Sequence, residues 1–149
     1  MEENRATVQR YADAIRTGNW EAAAALLHPD YVCEFPQTGE LIRGRANFEA
    51  IYSRFPGGLP ETEHLETVGG EKPMVHVAPQ QFGLPIITVS GGSDTYTVTG
   101  KARYMDGEEY HIISILHLRD MQIIKEKMFW APPAEAPEWR REFVELLYG

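Results

Sequence analysis

Residues 108–130, EEYHIISILHLRDMQIIKEKMFW, decide the fold. The stretch reads as two β-strands joined at RDMQ, because side chains that alternate between faces sort cleanly on either side of that turn. In the first strand Ser114, Leu116 and Leu118 share one face and His117 takes the other. In the second, Ile124, Glu126, Met128 and Trp130 share a face opposite Ile123, Lys125, Lys127 and Phe129. A hairpin that keeps register therefore places Ser114, Leu116 and Leu118 beside Ile124, Glu126 and Met128, and one carboxylate sits among apolar side chains. The turn is less standard than the pairing, since the position after Asp120 often carries Gly in tight hairpins and holds Met121 here.

Working backward, SDTYTVTGKARYM adds a third strand to this antiparallel meander, and HLETVGG, KPMVHVA and LPIITVS add shorter ones between turn-rich pieces such as VSGGSD and MDGE. Before about His64 the period changes. Val8, Tyr11, Ala12 and Ile15 recur at helical spacing in EENRATVQRYADAIRTGN, with acids leading and Gly18 closing. Asn19 can cap a second helix through WEAAAALL, where Trp20, Ala23, Ala24 and Leu27 form a stripe ended by HPD. A short strand, YVCEF, sets Tyr31, Cys33 and Phe35 against Val32 and Glu34. A third helix, RANFEAIYSRF, presents Phe48, Ile51, Tyr52 and Phe55 on one face until PGGLP breaks it. After the sheet, Pro137 starts a short terminal helix with Trp139, Phe143, Leu146 and Leu147. Helices before a bent antiparallel sheet imply an α+β fold in one domain.

Composition narrows the partners. A chain of 149 residues with 43% hydrophobic and 11% aromatic content can bury one sizeable core. Its net charge of -8 argues against a nucleic-acid or anionic-membrane surface. The opening MEENRATVQRY lacks the apolar core of a signal peptide and no window approaches the ~20 apolar residues of a membrane span, so a cytoplasmic protein is expected. Cys33 is the only cysteine, which forbids an internal disulfide. His28, His64, His76, His111 and His117 show no metal-binding spacing, and no metal is expected. Arg43 and Arg45 flank the start of the third helix.

The runs VQRYADAIRTGNWEAAAALLHPDYVCEFPQTGELIRGRANFEAIY and YTVTGKARYMDGEEYHIISILHLRDMQIIKEKMFWAPPAEAPEWR resemble the nuclear transport factor 2-like superfamily, which includes ketosteroid isomerases and SnoaL-like cyclases. The resemblance implies a cone: a curved antiparallel sheet wrapped around the N-terminal helices, with a short C-terminal helix and a deep pocket at the open end. It implies little about reaction, because the superfamily carries many chemistries. Tyr11 matches the isomerase tyrosine that donates to a developing oxyanion. Phe35 stands where those enzymes carry a proton-shuttling aspartate, and Ser114 where they carry a second oxyanion acid. Met128 and Phe129 stand where many SnoaL-like proteins have a further acid.

Two readings of Glu126 stay open at this point. It either handles a proton or a polar ligand group inside the pocket, or forms a structural ion pair, with Arg103 as the candidate partner, or an exposed rim acid. Tyr11 is likewise an oxyanion donor or a core aromatic. Phe35, Tyr31, Ser114, Leu116, Met128, Tyr96 and Tyr104 are the expected ligand-lining residues. The leading expectation is a cofactor-free isomerase or cyclase acting on a small hydrophobic organic molecule, with Glu126 and Tyr11 catalytic. Its rivals are a non-catalytic binding module and a protein-partner adaptor. A homodimer is expected on the outer face of the sheet, formed by Thr95, Thr97, Thr99, Lys101, Arg103, Ile113, Ile115 and His117.

Overall fold

The computed structural model describes residues 2–59, 61–69, 75–77, 88–90, 94–104 and 106–147. Helix α1 (Glu2–Arg16) ends where Gly18 takes a positive φ of 72° and the Asn19 amide turns back onto the Ala14 carbonyl. That left-handed closure is the one Gly adopts without steric cost. Asn19 then caps α2 (Trp20–Ala24), its side chain accepting from the Ala22 amide at 3.1 Å. The second helix is shorter than its apolar stripe suggests. Leu27 already belongs to strand β1 (Leu27–Phe35), which takes in the HPD expected to precede it.

Strand β2 (Glu40–Arg43) and helix α3 (Gly44–Ser53) follow, then β3 (Glu61–Gly69), β4 (Val75–Val77), β5 (Thr88–Ser90), β6 (Thr95–Arg103), β7 (Glu109–Arg119) and β8 (Gln122–Ala131). Six strands form one sheet in the order β2-β1-β8-β7-β6-β3, and β4 pairs only with β5. Of KPMVHVA and LPIITVS, residues 75–77 and 88–90 are these two strands. The rest of those stretches, and residues 91–93 of the VSGGSD turn, lie outside the described residues. All pairs are antiparallel except β1 with β8, which run parallel. The meander β6–β7–β8 has the expected order, and its inner face carries Tyr96, Ala102, Ser114, Leu116 and Leu118, all buried.

The expected placement of Ile124 needs correction. His117 pairs with Lys125 but Leu118 pairs with Ile123, so β8 carries one extra residue at Ile124. Such a bulge flips the alternation. Ile123 is the buried residue, and Ile124 does not share the inner face with Glu126. The turn itself is a tight two-residue connection in which Asp120 and Met121 both adopt positive φ, 52° and 61°, without the Gly such turns often carry.

Val8, Ala23, Leu27, Phe48, Leu116 and Ile123 are fully buried where the helices meet the sheet. Each of the large aliphatic side chains among them stabilises the fold by roughly 1.5–3 kcal/mol. Arg45 of α3 donates through Nε to the Leu27 carbonyl at 2.7 Å, tying that helix to the irregular start of β1. The C-terminal segment is a 3-10 turn over Glu138–Phe143 with Pro137 as its cap, and Trp139 and Phe143 remain 77% and 80% exposed. Neither ring is buried among the described residues of the single chain. No helix among the described residues is long and apolar enough to cross a membrane.

Candidate functional site

Glu126 is 1% exposed and sits between Cys33 of β1 and Leu116 of β7, its partners across the two flanking strands. Its charge is met entirely by hydroxyls. Oε2 accepts from the Tyr11 phenol at 2.7 Å and the Tyr31 phenol at 2.9 Å, and Oε1 accepts from the Ser114 hydroxyl at 3.1 Å. Three elements converge on this carboxyl: α1 brings Tyr11, β1 brings Tyr31, and β7 brings Ser114, diagonal to Glu126 on the same face. Among the described residues no buried side-chain nitrogen or oxygen lacks a hydrogen-bond partner.

The expected alternative partner is elsewhere. Arg103 pairs with Glu109 at 3.0 Å on the surface, so the ion-pair reading of Glu126 fails. Glu34, on the opposite face of β1, takes the nearby cations instead, Lys125 at 3.0 Å and Lys127 at 3.7 Å. The Lys125 hydrogen bond leads in pulling its carboxyl below the ordinary value.

With no cation beside it among the described residues, desolvation dominates Glu126. Burial raises its pKa above the usual carboxylate value, while the hydrogen bonds from Tyr11, Tyr31 and Ser114 pull it back in part. A carboxyl in this state is a stronger base than an exposed one. Burial, followed by the nearby Glu126 charge, also pushes the phenols of Tyr11, Tyr31 and Tyr52 well up, so all three remain protonated. Cys33 is pushed up for the same reasons and behaves as the small core residue expected.

Two adjoining cavities meet at Ile15, Ile112 and Met128. The inner chamber, about 60 Å³, is where Tyr11, Ser114 and Glu126 are lined up beside Val98, Leu116 and Met128. The outer cavity, about 390 Å³, is walled by Phe35, Tyr52, Phe55, Tyr104, Tyr110 and Trp130 together with aliphatic side chains. Its size falls within the range of small-molecule sites.

Of the expected residues, Tyr11, Glu126, Ser114 and Leu116 come together at the chamber, Met128 borders both cavities, and Phe35 and Tyr104 line the outer one. Tyr31 reaches Glu126 but lines neither cavity. Tyr96 is a core aromatic at the other end of β6, with the Arg5 guanidinium 5.7 Å from its ring, and it too lines neither. Leu118, expected on the pocket face, is buried in the core. Tyr52, Phe55, Tyr110 and Ile112 are wall residues that the sequence reading did not single out as ligand-lining. Tyr110 and Ile112 could have been found by extending the Ser114–Leu116 alternation two steps back, and Tyr52 and Phe55 lie on the α3 stripe. Among the described residues no cluster of His, Cys, Asp and Glu could hold a metal ion.

The SnoaL-like domain family matches residues 8–126. A steroid Δ-isomerase from Nocardioides simplex is 33% identical over 132 residues, 87% of this chain and 91% of the relative. Among solved structures, an NTF-2 like protein of unknown function from Burkholderia xenovorans LB400 is similar at a TM-score of 0.74 and 24% identity, covering 98% of this chain and 96% of that one. A Kribbella flavida DSM 17836 protein provisionally named a ketosteroid isomerase is similar at 0.69 and 23%, covering 100% and 93%. These two structural likenesses show the nuclear transport factor 2-like fold.

Proposed function

The chain belongs to the SnoaL-like domain family, and from that premise we propose that it is a cofactor-free isomerase or cyclase that moves a proton on a small, mostly apolar ketone. The observation that carries this reading is the buried, cation-free Glu126 at the inner end of an apolar cavity. The substrate body occupies the outer cavity and its carbonyl end enters the chamber. Glu126 takes a proton from the carbon beside the carbonyl. The C–H pair becomes the enolate double bond and the carbonyl π pair moves onto oxygen. Once Glu126 is a neutral acid it is a weaker acceptor, and the Tyr11 hydrogen, held at 2.7 Å by the carboxylate before reaction, can turn to the enolate oxygen. Tyr31 lines neither cavity and remains a clamp on Oε2.

Return of the proton to a different carbon on the same face completes an isomerisation, which one carboxyl can perform alone. In a cyclisation the enolate carbon attacks a second carbonyl, and the new alkoxide takes the proton from Glu126. Phe35 and Met128 add no second acid at the cavities. The named relative acts on a steroid, and the aromatic outer cavity supports a polycyclic substrate here as well.

The test is deuterium incorporation from heavy water into unsaturated steroid ketones and aryl methyl ketones, followed by NMR. Exchange that falls at least about 10²-fold in Glu126→Gln supports the reading. Exchange unaffected by that change ends it.

A second reading has its own support: every polar atom of Glu126 is already satisfied, as suits a rigid wall in a non-catalytic binding module. Tight ketone binding with no exchange by the parent protein would select it. The outer sheet face carries the exposed Ile113 among polar neighbours and supports a homodimer closed on that face; a monomer by light scattering at micromolar concentration would exclude it.

A further inference from the structure

Among the described lining residues the outer cavity has one charged residue, Asp106, and neither cavity has a Lys, Arg or His. With Glu126 in the inner chamber, each cavity therefore has a carboxyl group among its described lining residues. Asp106 lies in the turn between β6 and β7, which is closed by the Tyr104 amide on the Glu108 carbonyl at 3.1 Å and the Gly107 amide on the Tyr104 carbonyl at 2.9 Å. Asp106 Oδ1 accepts from the Glu108 amide at 2.9 Å, and among the described residues Oδ2 has no donor. The rings beside it are set at angles to one another. Tyr104 meets Tyr110 edge-on at 4.7 Å and lies tilted against Phe55 at 5.9 Å. Burial raises the Tyr104 phenol above its ordinary value, so this ring stays neutral and keeps its electron-rich face.

Electron-rich ring faces beside an unopposed carboxylate attract an organic cation and repel an anion. We propose that the ligand carries an amine, held as an ammonium, at the end left beside Asp106, and that the site rejects carboxylates and phosphates. This inference names the substrate class of the site already described and rests on the two cavities being one ligand site. The carbonyl end enters the chamber, and the ammonium stays at the outer end among Phe55, Tyr104 and Tyr110.

The experiment uses three acetylnaphthalenes that differ only in an aminomethyl, hydroxymethyl or carboxymethyl group on the distal ring. Affinities for the full chain are measured by calorimetry, with deuterium exchange at the acetyl group followed in parallel. The aminomethyl probe is expected to bind roughly tenfold more tightly than the hydroxymethyl probe, and the carboxymethyl probe most weakly. Asp106→Asn retains an acceptor for the Glu108 amide and removes the charge, so it should bring the amine down to the level of the alcohol. Tyr104→Leu leaves Asp106 in place and should weaken the amine more than the alcohol. The proposal is overturned if the carboxymethyl probe binds as tightly as the amine, or if Asp106→Asn leaves the order unchanged. Equal weakening of amine and alcohol in Tyr104→Leu overturns it too. Amine preference without exchange refutes the proton-transfer reading alone and upholds this one, whereas no binding by any probe sinks both.

Discussion

Replacing Glu126 with Gln tests whether its carboxyl serves the scaffold or the chemistry. The amide oxygen can stand in for Oε2 and keep both phenols, at 2.7 and 2.9 Å in the parent, while the amide nitrogen donates to Ser114, whose hydroxyl needs only to rotate. Three hydrogen bonds to a charged acceptor, about 1.5–3 kcal/mol each, become neutral ones of about 0.5–1.5, a loss of roughly 3–4.5 kcal/mol in all. Against that stands relief of a desolvation penalty of several kcal/mol for the buried charge. Burial outweighs the hydrogen bonds in setting the Glu126 pKa, so relief exceeds loss. The variant should be as stable as the parent or about 1 kcal/mol more stable at neutral pH, a rise of about 2–4 °C in Tm for a chain of this size. Because the folded-state pKa is raised, the stability that Glu126 contributes is fully present below the ordinary value of 4.5 and is lost as pH climbs through the folded value. Gln does not titrate, so its advantage should grow as pH climbs from 4.5 through the folded value of Glu126. Thermal unfolding followed by circular dichroism across that pH range measures this. A loss of ~3–5 kcal/mol at neutral pH, or a Tm difference that does not change with pH, would refute the reasoning.

Tyr11→Phe should slow ketone exchange about 10²-fold while costing no more than about 2 kcal/mol of stability, because Tyr31 and Ser114 still hold Glu126; exchange rates and a denaturant melt check both. Tyr31→Phe removes a hydrogen bond that lowers the Glu126 pKa, so the acidic limb of the pH–rate profile, already above 4.5, should move to still higher pH. Met121→Gly relieves a non-glycine residue at φ 61° and should stabilise the fold by about 1 kcal/mol, read as a rise in Tm. Deleting residues 134–149 should leave the melting of the single chain within about 0.5 kcal/mol, since Trp139, Phe143, Leu146 and Leu147 are exposed; a larger drop would mean that the tail packs on something the single chain does not contain.

The site was legible where its logic is local. A period of two along β7 and β8 puts Ser114, Leu116, Glu126 and Met128 on one face, and a helical period puts Tyr11 on the inner stripe of α1. Their convergence needed only the curved sheet to wrap that helix. The shift from Ile124 to Ile123 was hidden because a bulge is one extra residue with no composition of its own. The role of Tyr31 was hidden for a different reason. It donates to Glu126 only because β1 lies parallel to β8, and no pattern within either strand announces a partner 95 residues away. Tyr52 was visible as a stripe residue, but a stripe does not say which of its members borders a void.

The parallel seam between β1 and β8 also has a consequence in time. Glu126 meets Tyr11 across 115 residues and Tyr31 across 95, whereas Ser114 is only 12 away. During synthesis the helices, β1 and α3 emerge long before the strand that completes their core. Such distant contacts come at the cost of closing long loops, and they slow folding. Until β8 inserts between β1 and β7, the inner ends of Tyr11 and Tyr31 have no acceptor and the carboxyl remains in water with an ordinary affinity for protons. The basicity proposed for catalysis is thus acquired in the same step that joins the two ends of the sheet, and a nascent chain stalled before that step has neither a sealed core nor an active base.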